Sequence, residues 1–399
     1  MLVVSMALLL SVVGYVLGLL FAGSGIFGLV LAAILWIIMT LVAYYGANDI
    51  FLSISKAKKI NKQDHPRLFN VVEEMKIASG LPKIPDIYII DTPAMNAFAT
   101  GRDPEHAAIA VTSGLLQKLN RDELQGVIAH EMAHIKNRDI LLMMIAGVMM
   151  GTIVMLADMA MWYLFFGAIT GGGRSSRRDN GGGGQGQIII LLAAIVLIIL
   201  APILAQLMYF AISRKREYLA DASGALYTRY PDGLASALEK LSSSTAELQS
   251  ANRTTAPMYI VNPLKKKGMK VSDLSSTHPP ISERIRILRS MGGGISLADY
   301  DKAFHQVHQK GTGSVIPASA LAGGGLGLAA PAVESKMVER EPEEIDRARE
   351  TSDILWKLNN YTSITCDCGT KLKIPPKFKS STVRCPHCGT SNPIPKLKG

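Results

Sequence analysis

The polar positions of this chain come in blocks, and the gaps between them are long. Residues 1–48 contain no Asp, Glu, Lys, Arg or His, residues 188–213 contain none, and residues 140–173 contain only Asp158. A helix crosses the hydrocarbon of a bilayer in about 20 residues. The first block therefore accommodates two spans, 2–21 and 26–46, with a break at Gly23-Ser24-Gly25. No basic segment precedes the apolar run, so it reads as a retained hairpin and not as a signal peptide. Ile140–Thr170 and Ile188–Ile212 supply the third and fourth spans. Pro202 falls inside the last one, where neighbouring helices satisfy the freed backbone groups. Asp158, towards the far end of the third span, suits an interfacial or interhelical structural role.

The polar segments divide accordingly. Residues 1–48 form the hairpin, and 49–139 carry a first polar segment. Residues 140–212 hold spans three and four with an outside loop at 171–187, and 213–310 a second polar segment. Residues 311–349 are a linker with the start of a charged helix, and 350–399 a terminal module. In the first segment, Asp86–Ile90 and Ala107–Thr112 read as short strands bounded by turn residues. Asn120, with Glu123 three residues on, is a capping-box pattern. The helix it opens is expected to flow directly into the third span. A further helix starts at SRKREYLADASGALY, a Gly/Ala/Pro stretch over 311–333 reads as flexible linker, and a charged helix follows over 341–358. There are no internal repeats.

Composition fits this division. Charged residues are 19% of the whole chain, against roughly 25% in soluble domains, a level the segments outside the apolar blocks do reach. The chain is too apolar for disorder, and four cysteines in 399 residues exclude a disulfide-stapled scaffold. Lys56, Lys58, Lys59 and Lys62 follow the second span, and Arg214, Lys215 and Arg216 follow the fourth. The bias of basic residues puts those ends, both termini and the polar C-terminal half in the cytoplasm, with the protein in the cell membrane. Arg174, Arg177 and Arg178 in the outside loop run against the bias, but the two cytoplasmic clusters outweigh them.

His130-Glu131-Met132-Ala133-His134 is H-E-x-x-H on the capped helix. The two imidazoles, one turn apart, project from one face and can bind a single Zn²⁺, and Glu131 beside them can take a proton from the attacking water. A catalytic site needs a third ligand. Position 140 is isoleucine, so the extended three-histidine motif is absent. His134 lies six residues before the third span and Glu217 five residues after the fourth. In an antiparallel pair of spans the two sit at nearly the same depth, about 8 Å from the membrane boundary. Glu217 is thus the candidate third ligand, the alternative being an ion pair with its basic neighbours. Asp221, one turn on, falls near the level of His130 and can accept that imidazole's other N–H.

HEMAH, SRKREYLADASGA, STHPPISERIRIL and NAFATG together resemble the HtpX-like membrane zinc metalloproteases, relatives of the CAAX prenyl endopeptidases, over residues 1–290. The resemblance implies an α+β zincin domain of the gluzincin type on a predominantly α-helical membrane protein. It implies His130, His134 and Glu217 as zinc ligands and Glu131 as general base. Asn96, His278 and Arg284 would bind the peptide and stabilise the oxyanion. On residues alone, Asn96 reads as a turn residue and His278-Pro279-Pro280 as a rigid entry to a helix starting at Ile281. The strand Ala107–Thr112 is expected to pair with an extended substrate. His65, His106, His305 and His308 have no partner pattern.

The terminal module holds all four cysteines, as Cys366-Asp367-Cys368-Gly369 and Cys385-Pro386-His387-Cys388-Gly389. Two knuckles around a basic stretch read as a zinc ribbon with a structural Cys₄ zinc, His387 being a possible further ligand. Residues 351–399 carry eight Lys/Arg against two Asp, which suits an acidic partner or lipid headgroups. Few aromatics argue against a specific nucleic-acid reader. The expected use is capture of a substrate or partner on a flexible tether. The expected function is a membrane zinc endopeptidase acting on unfolded or membrane polypeptides, in quality control as the resemblance implies. The alternative is a non-enzymatic membrane adaptor binding through the ribbon, which would have no need of Glu131. A transporter would repeat polar residues within its spans, and this chain has only Asp158 there.

Overall fold

The structure is a computed structural model, and it describes residues 2–169, 184–244, 246, 259–260, 278–308, 313–323, 343–376, 378 and 380–394. Residues 171–183 of the expected outside loop, with its three arginines, lie outside the described residues, as do 324–342 of the expected linker.

Helices α1 (Leu2–Ala22) and α2 (Gly25–Ile54) form the expected hairpin. Gly23 turns the chain at φ 69° and the Ser24 hydroxyl caps α2 by accepting from the Phe27 N–H. The two helices meet backbone to backbone. A Cβ on Gly28 would lie 2.1 Å from the Gly14 carbonyl oxygen, and one on Gly18 would lie 2.6 Å from Gly28 Cα. With no hydrophobic drive between helices in lipid, such small-residue seams supply the packing. Large apolar side chains such as Ile26, Leu31, Ile199 and Leu204 stay exposed along the bundle, as a lipid-facing surface requires.

The catalytic segments follow. After β1 (Lys58–Lys59) and α3 (Pro66–Ser79) come β2 (Asp86–Ile90), β3 (Ala97–Gly101) and β4 (Ala107–Thr112). Their sheet has the order β1-β2-β4-β3, with β2 parallel to β4 and the other pairs antiparallel. This corrects one sequence expectation. Strand β4 has a partner on each side, so it cannot take a substrate strand; the sheet edge on that side is β3.

Helix α4 (Ser113–Lys118) leads to α5 (Arg121–Lys136), which carries the H-E-x-x-H residues through the middle of the main core. A second expectation fails here. Helix α5 does not run into the third span: Asn137 ends it, Arg138 adopts the left-handed conformation at φ 56°, and α6 (Asp139–Ile169) starts in a new direction. The fourth span does the opposite. Helix α7 (Gly184–Thr228) runs unbroken from the apolar stretch through Pro202 to Glu217 and Asp221. Among the described residues, four helices are long and apolar enough to cross a membrane, at Val4–Ala22, Gly25–Gly46, Asp139–Trp162 and Ala194–Thr228. Asp158 is exposed on α6, four residues before the exposed Trp162 near the end of the third span. That placement fits the interfacial option and not the interhelical one.

Helices α8 (Pro231–Ser243), α9 (Ile281–Ser290) and α10 (Leu297–His308) close over α5 and α7. Gly126 of α5 lets α8 approach closely, since a Cβ there would lie 2.7 Å from the Leu234 backbone nitrogen. Part of the expected flexible linker is instead packed: Val315 and Ile316 are buried in the main core just before α11 (Ala318–Gly323).

Helix α12 (Glu344–Leu358) is likewise docked. Ile354 enters the main core, Glu344 pairs with Lys118 and Lys357 with Asp64, both at 2.5 Å, and Lys58 Nζ donates to the Leu358 carbonyl at 3.1 Å. The terminal module of two hairpins, β5 (Thr362–Thr365) with β6 (Lys371–Ile374) and β7 (Thr382–Arg384) with β8 (Ser391–Pro393), follows directly. Lys373 ties it to α12 through Asp353 at 2.5 Å and the Trp356 ring. The tether reading is corrected: the module stands on a helix fixed to the catalytic body.

Candidate active site

The capping box forms as read from the sequence, with the Glu123 N–H donating to Asn120 Oδ1 at 2.8 Å and the Asn120 N–H to Glu123 Oε2 at 2.9 Å. One face of α5 then presents His130 and His134, whose Nε2 atoms lie 3.2 Å apart. From α7, Glu217 places Oε2 3.6 Å from His130 Nε2 and Oε1 3.4 Å from His134 Nε2. Ligands about 2.0 Å from a tetrahedral Zn²⁺ stand about 3.3 Å from one another. The three atoms match that triangle, and the side chains are nearly enclosed, so the donor set fits zinc. Glycine makes this approach of α7 to α5 possible, since a Cβ on Gly224 would already lie 3.3 Å from the His130 nitrogen.

Each imidazole turns its other nitrogen to a carboxylate. Asp221 Oδ1 is 3.0 Å from His130 Nδ1, the arrangement the sequence led us to expect. Asp139 Oδ2 is 3.1 Å from His134 Nδ1, and Arg216 pairs with the other Asp139 oxygen. Sequence reasoning missed Asp139 and Arg216. The only hint was an acidic residue just past the motif, and on a continuous helix residue 139 would sit about 140° around the axis from His134. These carboxylates bear on both imidazoles. Burial opposes their protonation, but the neighbouring carboxylates of Asp221 and Glu217 outweigh it for His130, and that of Glu217 for His134, so both are held above the usual value. A cation binding here therefore displaces protons.

Glu131 is 2% exposed, and burial raises its carboxyl above the usual range while the two imidazoles pull it back. The Ala99 N–H on β3 is within hydrogen-bonding reach of it. That contact follows from register. The Thr112 N–H donates to the Asn96 carbonyl, so Asn96, Phe98 and Thr100 face β4, and Ala97, Ala99 and Gly101 turn their backbone groups to the open edge. One of those groups is taken, because the Ile260 N–H donates to the Ala97 carbonyl at 3.1 Å. Tyr259, buried beside it, packs edge-on against Phe98.

Of the three remaining candidates, His278 and Arg284 stand against Glu217, and Asn96 lies just before β3. Asn96 is 3% exposed, with its side-chain oxygen accepting from the Ala97 N–H at 3.1 Å. His278 is 5% exposed, and its Nε2 lies 3.7 Å from Glu217 Oε1; burial lowers its pKa against the pull of Glu217. Arg284 is fully buried and faces carboxylates. Its Nε and Nη2 donate to Asp221 at 2.8 and 2.7 Å, and Nη1 lies 3.2 Å from Glu217 Oε2 and 3.3 Å from the Ile260 carbonyl. Burial disfavours the guanidinium charge, but Asp221 outweighs it and the pKa is raised.

A second donor set lies in the terminal module, where Cys366 and Cys388 sulfurs are 3.5 Å apart and those of Cys368 and Cys385 3.7 Å. Sulfurs about 2.3 Å from a tetrahedral zinc stand about 3.8 Å apart, so this cluster fits as well.

Comparison with known proteins agrees with the chemistry. Residues 62–292 match Peptidase family M48. A "Protease HtpX homolog" of Dictyoglomus turgidum is 46% identical over 268 residues, covering 67% of this chain and 83% of that protein. Those of Syntrophobacter fumaroxidans and Listeria innocua are 44% and 45% identical, covering 92% and 91% of those proteins and 68% and 70% of this chain. The crystal structure of S. mikatae Ste24p shares 21% identity over 69% of this chain and 60% of that one, with a TM-score of 0.37, too low to carry an argument. With the H-E-x-x-H helix, the glutamate opposite it and the membrane bundle in place, the chain belongs to peptidase family M48 and is an HtpX-like membrane metalloprotease.

Proposed function

We propose that this protease hydrolyses peptide bonds in unfolded or membrane polypeptides at a cytoplasm-facing site built from His130, Glu131, His134 and Glu217. The observation that carries the reading is the convergence of three ligand atoms at zinc spacing beside a buried carboxylate of raised pKa. A zinc ion held there would polarise the scissile carbonyl and acidify the attacking water. Glu131 takes the water proton and later delivers it to the leaving amine; burial, which raises its pKa, makes it a stronger base for the first half of that task. Asn96 and His278, next to the cleft, are the groups available to bind the peptide and donate to the developing oxyanion. Arg284, fully enclosed, has a different part: it fixes Glu217 and Asp221 and so acts through the ligands.

An extended substrate pairs with the Ala99 carbonyl and the outward groups of Gly101 on β3, next to the place held by Ile260. This makes recognition a matter of local extended backbone more than of sequence. The cytoplasmic orientation rests on Lys56, Lys58, Lys59 and Lys62 after the second span and Arg214, Lys215 and Arg216 after the fourth. A second zinc on Cys366, Cys368, Cys385 and Cys388 shapes the basic terminal module, which offers an acidic partner or substrate a surface beside the catalytic body.

The test is cleavage of casein and of a membrane protein, with zinc, by the purified full-length protein and its Glu131→Gln variant. Activity is expected to fall by several orders of magnitude, and equal activity in both would overturn the mechanism.

A further inference from the structure

We propose that Asp139, clamped by Arg216, is a positioning residue that fixes the His134 imidazole with Nε2 towards the metal. The proposal rests on the reading of His130, His134 and Glu217 as metal ligands. Three observations carry it. Asp139 is 1% exposed and both its oxygens are engaged, Oδ2 with His134 Nδ1 at 3.1 Å and Oδ1 with the Arg216 guanidinium. An acceptor at Nδ1 holds the proton there and leaves the Nε2 lone pair facing His130 Nε2 and Glu217.

The second observation is pairing. A carboxylate also stands at the His130 Nδ1, where Asp221 Oδ1 lies 3.0 Å away, and Arg284 clamps Asp221 through two hydrogen bonds. Each ligand histidine thus has its own carboxylate, and each carboxylate its own arginine. The third is backbone. Asp139 reaches His134 because Arg138 takes the left-handed conformation, which non-glycine residues rarely adopt. A chain that only had to enter the membrane would continue the helix.

The bland alternative is an acidic residue complementing the N-terminus of α6. That role would move stability and leave metal affinity alone. The experiment separates them in full-length protein in lipid nanodiscs. Zinc is titrated against a chelator and counted per chain, with metal-free thermal midpoints measured alongside. Asp139→Ala is expected to weaken zinc at this site by about 10–100-fold, as loss of such partners does elsewhere. The zinc on the four cysteines should be unchanged, and Arg216→Gln should lie in between. Asp139→Asn, which keeps an acceptor oxygen of the same shape, should recover part of the loss. If Asp139→Ala fails to fold, Asp139→Asn is read by the same criterion. Zinc affinity within twofold of wild type, in a background where His134→Ala loses the site, would overturn the proposal and leave the metal site standing. A His134→Ala variant that still held two zincs would overturn the metal-site reading and the proposal with it.

Discussion

Replacing Arg284 by methionine separates two roles that its position in the chain leaves open. As an oxyanion donor, Arg284 would touch substrate, and its loss would lower turnover with the protein otherwise intact. The structure shows it fully enclosed, two-pronged on Asp221 at 2.7 and 2.8 Å and 3.2 Å from Glu217. Methionine keeps most of the volume but leaves Asp221, with no exposure, without its cation, and removes the guanidinium that stands 3.2 Å from Glu217 Oε2. Breaking such a buried pair from one side typically costs about 3–5 kcal/mol. A catalytic domain of 150–250 residues loses about 2–4 °C per kcal/mol, so the thermal midpoint should fall by about 10 °C.

Removing both partners should be milder. In the Arg284→Met, Asp221→Leu double variant no uncompensated charge from that pair remains, and the metal-free midpoint should recover part of the loss. Arg284→Lys keeps the charge without the planar fork and should also recover part. The measurements are thermal unfolding in detergent with chelator present, zinc content, and steady-state cleavage of a quenched peptide. A variant with wild-type midpoint and full zinc whose turnover alone dropped 100-fold would refute the assignment and return Arg284 to the substrate.

Three further expectations follow from other parts of the fold. Gly28→Val drives a side chain into the Gly14 carbonyl, 2.1 Å from its Cβ. It should loosen the N-terminal hairpin by about 1–3 kcal/mol or more, read as protease accessibility of α1 in nanodiscs. His65, buried as the N-cap of α3, has its pKa lowered by burial to about 4. It is proton-free in the fold but binds a proton at about 6.5 when unfolded, so it contributes stability above pH 6.5 that is lost as pH falls towards 4. The full span is about 3 kcal/mol, and His65→Asn, which keeps a capping oxygen, should flatten the urea midpoint between pH 7 and 4.5. Cys366→Ser with Cys385→Ser should reduce bound zinc from two to one per chain while casein cleavage persists; loss of both zincs would show that the module supports the catalytic site.

Much of the site was legible because its parts obey short-range rules. H-E-x-x-H at helical spacing, the Asn120–Glu123 capping box and the charge-free blocks each depend on neighbours within a turn or a span. Glu217 was reachable because a membrane acts as a ruler, so residues five and six positions outside two spans share a depth. What escaped depends on backbone geometry that composition does not encode. Nothing in Asn137-Arg138-Asp139 marks a left-handed arginine, and without that turn Asp139 points away from His134. Strand β4 is as apolar as a substrate-binding edge would be, but its partners come from 86–90 and 97–101, a pairing that alternation cannot rank. The apparent linker contains Val315 and Ile316, two apolar residues in a Gly/Ala/Pro setting whose burial is a tertiary fact.

The membrane bundle and the catalytic site are one construction. Glu217 and Asp221 sit on the helix that continues the fourth span, and Asp139 is the first residue of the third. Arg216, joining Asp139 from α7, ties the ends of those two spans together within one residue of Glu217. A change in the spacing or rotation of spans three and four would therefore move Glu217 against His130 and His134. Tetrahedral ligation tolerates displacements of only about 0.2 Å. A soluble fragment lacking the spans would keep the H-E-x-x-H helix but lose the register that brings its third ligand.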